Sequence, residues 1–493
     1  MEYAVMPLYI DKVETINIKG VEEPSLEWLN KFILKCRDLT DSLIQIGFEK
    51  RLKVLDELGK IWTEKLHEGK VNHLIEVVAK NTGYSVRNVE LDLAFISEVL
   101  SRNNLIKLFD NGLVGGYKTL DFPVELNDRE MVLNRPLSPN LIIATGNSVV
   151  PSILPAVVSL ASGGVTILKP SIVNYSVVVD VFTPLKDLAE SMVEGASEIA
   201  RSLLVTYFLH DSKVLDNILL SAPLAAVNYW GGEPGRSTIV EKVLRNPYKP
   251  RIVINGPLTG LAIVDEDSIN ADTPVKLARD VVLYDQQLCS SPTYVLYIGS
   301  MSAAADFAKK LGEALDKIGS TFPRKFTEHG SYTLLLMRKK LEIEGYTVFN
   351  SQNLENPWII AVRGSPHTKD VRKYKIDTAI PLHQRKRFVE IRVLDKDELL
   401  PVTLDGLLQE LSYQGVDKFQ TALLAVSESR KSKLINLLAR IGVYRIVPLG
   451  ESFLRTPIEP YDGEFIPKYF TYTIYVRDCE RFGDVAKYFR WGI

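Results

Sequence analysis

The sequence predicts an α/β protein with two parallel-sheet domains, preceded by a helical segment and followed by a tail ending in a strand. Three observations carry this. Apolar residues recur every three or four positions from Glu27 to about Asn111, the spacing of amphipathic helices. Two buried-strand segments, NLIIATGN and VTILKPS, flank the apolar helical stretch VVPSILPAVVSLASGG. That is a β-α-β unit, which implies parallel strands and a right-handed crossover. A second alternation of strands and helices begins near RIVINGP.

In order along the chain, residues 1–113 read as a helical segment whose two blocks are separated by the turn NTGYS. Residues 114–253 form the first α/β domain, and its later part runs AAVNYW (strand), GGEPG (tight turn) and RSTIVEKVLR (helix). Residues 254–452 form the second, with LAIVDED and TYVLYIG as strands and DTPVKLARDVVLY and SAAADFAKKLGEALDKIG as helices. Residues 453–493 form a tail, where the alternation in KYFTYTIYV suits an edge or inter-subunit strand.

Composition narrows the function. Of 493 residues, 46% are hydrophobic and 24% charged, a globular profile. The formal net charge of −2 gives no bulk attraction to nucleic acid or to an anionic membrane. No apolar run reaches the ~20 residues of a spanning helix, and the N-terminus lacks a basic n-region, so a cytoplasmic protein is expected. The three cysteines, Cys36, Cys289 and Cys479, are widely spaced and form no disulfide framework. Neither they nor the six histidines show zinc-type spacing, so no metal is expected.

Three segments have the residue types that chemistry needs. In DQQLCSSPTYVLYIG a helix runs into a polar loop that presents Cys289 before an apolar strand. A thiol held there faces either a cleft, with backbone N–H groups to stabilise a thiolate and an oxyanion, or the core as an inert small side chain. Cys36 lies on the apolar side of a helix and reads as core. Asn147 follows a strand at the edge where open α/β sheets bind ligands, and Lys169 and Ser171 end the next strand. WGGEPGRSTIVEKVL places glycines ahead of a helix N-terminus, a geometry that lets backbone approach a pyrophosphate.

Read together, GN…P…GG…KPS, WGGEPG, INGP and DQQLCSSP resemble, in that order, the aldehyde dehydrogenase superfamily over roughly the last three-quarters of the chain. Within it, DQQLCSSP, FQTALLAV, YRIVPLGE and PYDGEF are most similar to the acyl-CoA reductases typified by the fatty-acid reductase of bacterial bioluminescence. The resemblance implies an aldehyde dehydrogenase-like fold, with 114–253 binding the nicotinamide dinucleotide and 254–452 carrying catalysis. It implies Cys289 as nucleophile and Asn147 as oxyanion donor. Lys169 and Ser171 would meet the adenosine ribose or its 2′-phosphate, and Gly231, Gly232, Gly235 and Gly256 would lie beside the cofactor. Dimers or tetramers built through the C-terminal strand are expected by the same analogy.

Departures from the wider superfamily sharpen the expectation. Hydrolytic members carry a water-activating glutamate where this chain has Val253, so the acyl-enzyme should pass its acyl group to hydride or a thiol. NAD-preferring members carry an acidic residue where this chain has Ile172, which favours NADPH over NADH. The Glu-Ile-Phe-Gly-Pro segment has no counterpart in AIPLHQRKRFVEIRVLD, where Glu390 falls on the strand after that site. The expected reaction is NADPH-dependent reduction of a fatty acyl thioester, from acyl-CoA or an acyl-protein, to an aldehyde. A partner enzyme that activates the acyl group fits this reading. The alternatives are a short-chain CoA-acylating aldehyde dehydrogenase and a non-catalytic scaffold subunit of a fatty-acid reductase complex.

Overall fold

A computed structural model describes residues 5–324, 328–365, 372, 380–382 and 385–478, without the side chains of 328–334. Cys479, His367 and His383 lie outside the described residues, as does the tail from 479 onward.

Five parallel strands form the first sheet, in the order Leu203–Val205, Thr166–Lys169, Asn140–Ile143, Ala226–Trp230, Arg251–Asn255. Their side chains alternate between two cores. Ile142, Leu168 and Val205 face one, and Leu141, Ile143, Ile167, Leu204 and Val227 the other. The helix Val150–Ser162 joins Asn140–Ile143 to Thr166–Lys169 and stops at Gly163, whose φ of 97° suits a residue without Cβ. The boundary expected at 253/254 falls inside the strand Arg251–Asn255, which hydrogen-bonds to Ala226–Trp230. The chain leaves the first sheet only at Gly256.

The second sheet has seven strands, in the order Thr347–Asn350, Ile359–Gly364, Phe388–Leu394, Pro292–Ile298, Leu258–Asp265, Lys418–Ala425, Arg445–Pro448. All pair in parallel except Thr347–Asn350. Glu390 sits on Phe388–Leu394, buried between Arg385 and Arg392 in an ion-pair cluster.

Five helices between Leu26 and Gly112 make up the N-terminal segment, after a hairpin of Thr15–Ile18 and Val21–Pro24. Ser25 and Ser85 cap two of them by accepting from Trp28 N and Asn88 N. Helix Leu26–Ile46 buries Leu29, Phe32 and Cys36 on one face of the first sheet. The helices Phe48–His67 and Val86–Leu100 close over the other, sharing a core with Ile153 and Val157. The tail strand Thr471–Arg477 pairs antiparallel with Glu130–Pro136 of its own chain, and that strand pairs with Val124–Asn127. Tyr472, Ile474 and Tyr475 stay exposed on it. No helix among the described residues is long and apolar enough to cross a membrane.

Candidate active site

Helix Asp272–Val282 stops short of the predicted Tyr284. The chain then passes through three consecutive left-handed residues, Tyr284, Asp285 and Gln286, at φ 55°, 46° and 64°. Each such residue costs about 1–2 kcal/mol, so the turn must be imposed by its surroundings. Tyr284 N donates to Asn88 Oδ1 at 2.8 Å, and Tyr284 Oη donates to Asp92 Oδ1 at 3.0 Å. Asp285 pairs with the buried Arg387 at 2.7 Å. Gln286 Nε2 donates to the carbonyls of Pro292 and Phe388, and its Oε1 accepts from Phe388 N, each at 2.7 Å. Gly260 lets the loop seat on the sheet, because a Cβ there would lie 2.3 Å from Ser290 O.

Asp92 ties this loop to the first sheet. It also accepts from Ser148 Oγ at 2.6 Å and from Val149 N at 2.8 Å, ahead of helix Val150–Ser162. Burial raises its pKa, and these hydrogen bonds oppose the rise. Asn147 adds a second tie, its Nδ2 donating to Gln287 O at 2.9 Å.

A cavity of about 650 Å³ opens over the loop. Cys289, Asn147, Gly231, Gly232 and Gly256 all line it. Lys169, Ser171 and Gly235 do not. A Cβ on Gly235 would lie 2.4 Å from Tyr229 Oη, so this glycine makes room for a phenol that donates to Gly232 O. Ser171 abuts Gly146, next to Asn147, and Ile172 is exposed. The Lys169 ammonium lies 4.6 Å from the Tyr207 ring centroid and makes no ion pair among the described residues. Burial lowers it to about 8 against the pull of Glu23.

The opposite wall is apolar and comes largely from the N-terminal helices, through Phe95, Val99, Leu105 and Leu108, with Leu154 and Ile466. Nothing in their periodicity separates cavity-lining from core positions. Of the stretch NSVVPSILPAVVSL, only Ser148, Val150, Pro151 and Leu154, with Asn147, reach the cavity, while Ile153, Ala156 and Val157 are core.

Cys289 is half-buried at the cavity floor. Burial pushes its thiol up to about 11, helped by Asp462 and opposed by Arg455 and Gln420. These three residues have no local sequence link to the cysteine. Gln420 Nε2 lies 3.0 Å from Cys289 Sγ, and Arg455 and Asp462 arrive from the tail. Val253 lies on the strand Arg251–Asn255, packed against the core. Its position carries no carboxylate, but the fold brings Asp462 to the cavity instead. Both Asp462 oxygens accept from side-chain amides, Gln420 at 2.5 Å and Asn255 at 3.0 Å. Among the described residues, no group of three or more His, Cys, Asp or Glu side chains is arranged to hold a metal.

The chain resembles known proteins in sequence and in fold. Residues 43–471 match the family model described as Acyl-CoA reductase (LuxC). A long-chain acyl-protein thioester reductase of Aliivibrio fischeri is 24% identical over 413 residues, 83% of this chain and 78% of its own. A namesake from Photorhabdus luminescens is 26% identical over 341 residues, 67% of each chain. Among solved structures, a NAD-dependent aldehyde dehydrogenase from Sinorhizobium meliloti aligns with TM-score 0.68 at 12% identity, covering 96% of this chain and 94% of its own. Glyceraldehyde-3-phosphate dehydrogenase GapN from Methanocaldococcus jannaschii, complexed with NADP, aligns with TM-score 0.64 at 14% identity, covering 97% and 99%. The chain is an oxidoreductase with an aldehyde dehydrogenase-like fold, and it belongs to the acyl-CoA reductase (LuxC) family.

Proposed function

We propose that this protein reduces a fatty acyl thioester to an aldehyde with NADPH, through an acyl group carried on Cys289. The observation that supports this most is one cavity with a thiol on its floor, a glycine cradle on one side and an apolar wall on the other. Gly232 leaves that side open, since a Cβ there would meet only Pro257 at 3.6 Å. The half-buried Lys169, without an ion-pair partner among the described residues, suits a phosphate or ribose, and with Ser171 two residues on and Ile172 in place of an acid, NADPH fits better than NADH. A bound nicotinamide supplies hydride.

The chain's own residues do the rest. The Cys289 thiol loses its proton to solvent as its sulfur adds to the thioester carbonyl, and the Asn147 amide and the Cys289 backbone N–H hold the oxyanion. Collapse expels the donor's thiolate and leaves the acyl group on Cys289. After hydride addition, a second collapse returns the Cys289 thiolate and frees the aldehyde. Water competes poorly, because Val253 is no base and Asp462 is held by two amides. The apolar wall favours a long acyl chain over the short-chain alternative. The relatives' names make an acyl-protein a donor to test beside acyl-CoA, with a partner that charges it. A cytoplasmic homo-oligomer joined along Thr471–Arg477 completes the reading.

The test is NADPH oxidation with short- and long-chain acyl-CoA, in wild type and Cys289→Ala. Long-chain turnover that vanishes in the variant is expected; full activity of purified Cys289→Ala sinks the mechanism.

A further inference from the structure

Gln420 enters the site through an irregularity in the second sheet. Strand Lys418–Ala425 pairs with Leu258–Asp265, matching Thr259 with Phe419 and Gly260 with Thr421. The register skips Gln420, a bulge that re-aims one side chain without ending the strand. The residue is buried, and its amide is fixed at both ends. Arg455 Nη2 donates to Oε1 at 2.8 Å, and Nε2 donates to Asp462 Oδ1 at 2.5 Å. A guanidinium cannot accept and a carboxylate cannot donate, so these neighbours exclude the flipped amide. The remaining N–H of Nε2 is left for Cys289 Sγ, at 3.0 Å.

We propose that Gln420 is a further catalytic residue, whose amide, oriented by Arg455 and Asp462, donates to the Cys289 sulfur and stabilises it as the thiolate. This rests on Cys289 being the nucleophile. A donor to sulfur favours the charged form over the neutral thiol, and it is stronger at a partly buried sulfur than in bulk water. The amide also stands between the sulfur and the Asp462 carboxylate, which opposes ionisation. Arg455 works in the other direction. Tyr461 beneath the Arg455 guanidinium, Glu459 held by Arg445, Tyr284 on the cysteine's own loop and Glu98 across the cavity are the other titratable groups that line the cavity. Tyr461 is held well above its ordinary value by burial, so it stays neutral. When the acyl-enzyme breaks down, the same N–H receives the departing Cys289 thiolate, so one contact serves both ends of the cycle.

The test is the pH profile of Cys289 alkylation by iodoacetamide, read by peptide mass, in wild type, Gln420→Met and Gln420→Asn. Met keeps the length and lacks the amide; Asn keeps an amide that cannot reach. Both should lower the labelling rate at pH 8 by roughly tenfold and move the profile to higher pH. A profile within twofold of wild type in whichever variant folds overturns the proposal. Acylation of wild type by acyl-CoA, measured in parallel, reports separately on the nucleophile itself. An unacylated Cys289 with a shifted profile defeats the reaction assigned to the site and leaves the sulfur contact standing, whereas an acylated one with an unmoved profile defeats only Gln420.

Discussion

Cys36 and Cys289 are thiols in two differently built regions of the chain. Cys36 sits within helix Leu26–Ile46 among Leu29, Phe32 and Ile33, and its thiol donates to the Phe32 carbonyl at 3.4 Å within its own helix. Cys289 sits on a loop bent through three left-handed residues, at the floor of a cavity, with an amide on its sulfur. Burial raises both thiols, Cys36 to about 12 and Cys289 to about 11. Acidity therefore does not distinguish them. What does is access, a polar shell that can respond to charge, and a backbone that the rest of the fold holds in place.

The largest effect that sharpens this comparison is deletion of each thiol. Cys289→Ala should abolish aldehyde formation, while Cys36→Ala should keep activity within about twofold and lose roughly 1 kcal/mol of stability in urea titration. Equal losses of activity from both would break the contrast. Next comes the clamp on the loop. Arg387→Ala leaves the buried Asp285 carboxylate without its close partner, for which a loss of about 3–5 kcal/mol is expected by denaturant unfolding. A change below 1 kcal/mol would mean that the strained turn is held by something else. Asn147→Ala should slow turnover by roughly two to three orders of magnitude, since one oxyanion donor is worth ~3 kcal/mol in the transition state. Single-turnover kinetics would separate that loss from weaker binding.

A smaller effect follows from the pH dependence of the free thiols. Because the folded Cys289 is pushed up to about 11, it is protonated at neutral pH, and its thiolate fraction grows about tenfold per pH unit between 7 and 9. Alkylation of the unliganded protein should follow that slope at Cys289 and leave Cys36 unlabelled. A plateau below pH 8 would show a thiolate already formed. Smaller still is the effect of the apolar wall: Leu105→Trp should favour shorter acyl chains several-fold while leaving Cys289 labelling unchanged.

The alternation of strands and helices, the glycine stop at Gly163 and the loop placement of Cys289 were all legible in the sequence, because local periodicity and turn chemistry decide them. Asn147 was placed by its position after a strand, and Gly231, Gly232 and Gly256 by the family resemblance; all four line the cavity, beyond the ends of the first sheet's strands. The roles of Gln420, Arg455 and Asp462 were not legible. Gln420 and Asp462 stand in FQTALLAV and PYDGEF, which resemble the family, but all three lie more than 130 residues from Cys289 along the chain, and a bulge aims Gln420. The wall of Phe95, Val99, Leu105 and Leu108 was hidden differently, because an amphipathic helix looks the same whether its apolar face meets a core or a substrate. The run Tyr284–Gln286 escaped notice because only Asp285 is of a type that tolerates a left-handed backbone, and Tyr and Gln on either side of it do not favour one. Contacts from Asn88, Asp92 and Arg387 impose it.

Passage of the acyl group through Cys289 can be seen by intact-protein mass with peptide mapping. After incubation with a long-chain acyl-CoA and no reductant, the wild type should gain one acyl group on the peptide that contains Cys289. Cys289→Ala should gain none. An acyl adduct that persists in Cys289→Ala, or aldehyde formation by a wild type that never carries one, would contradict the account.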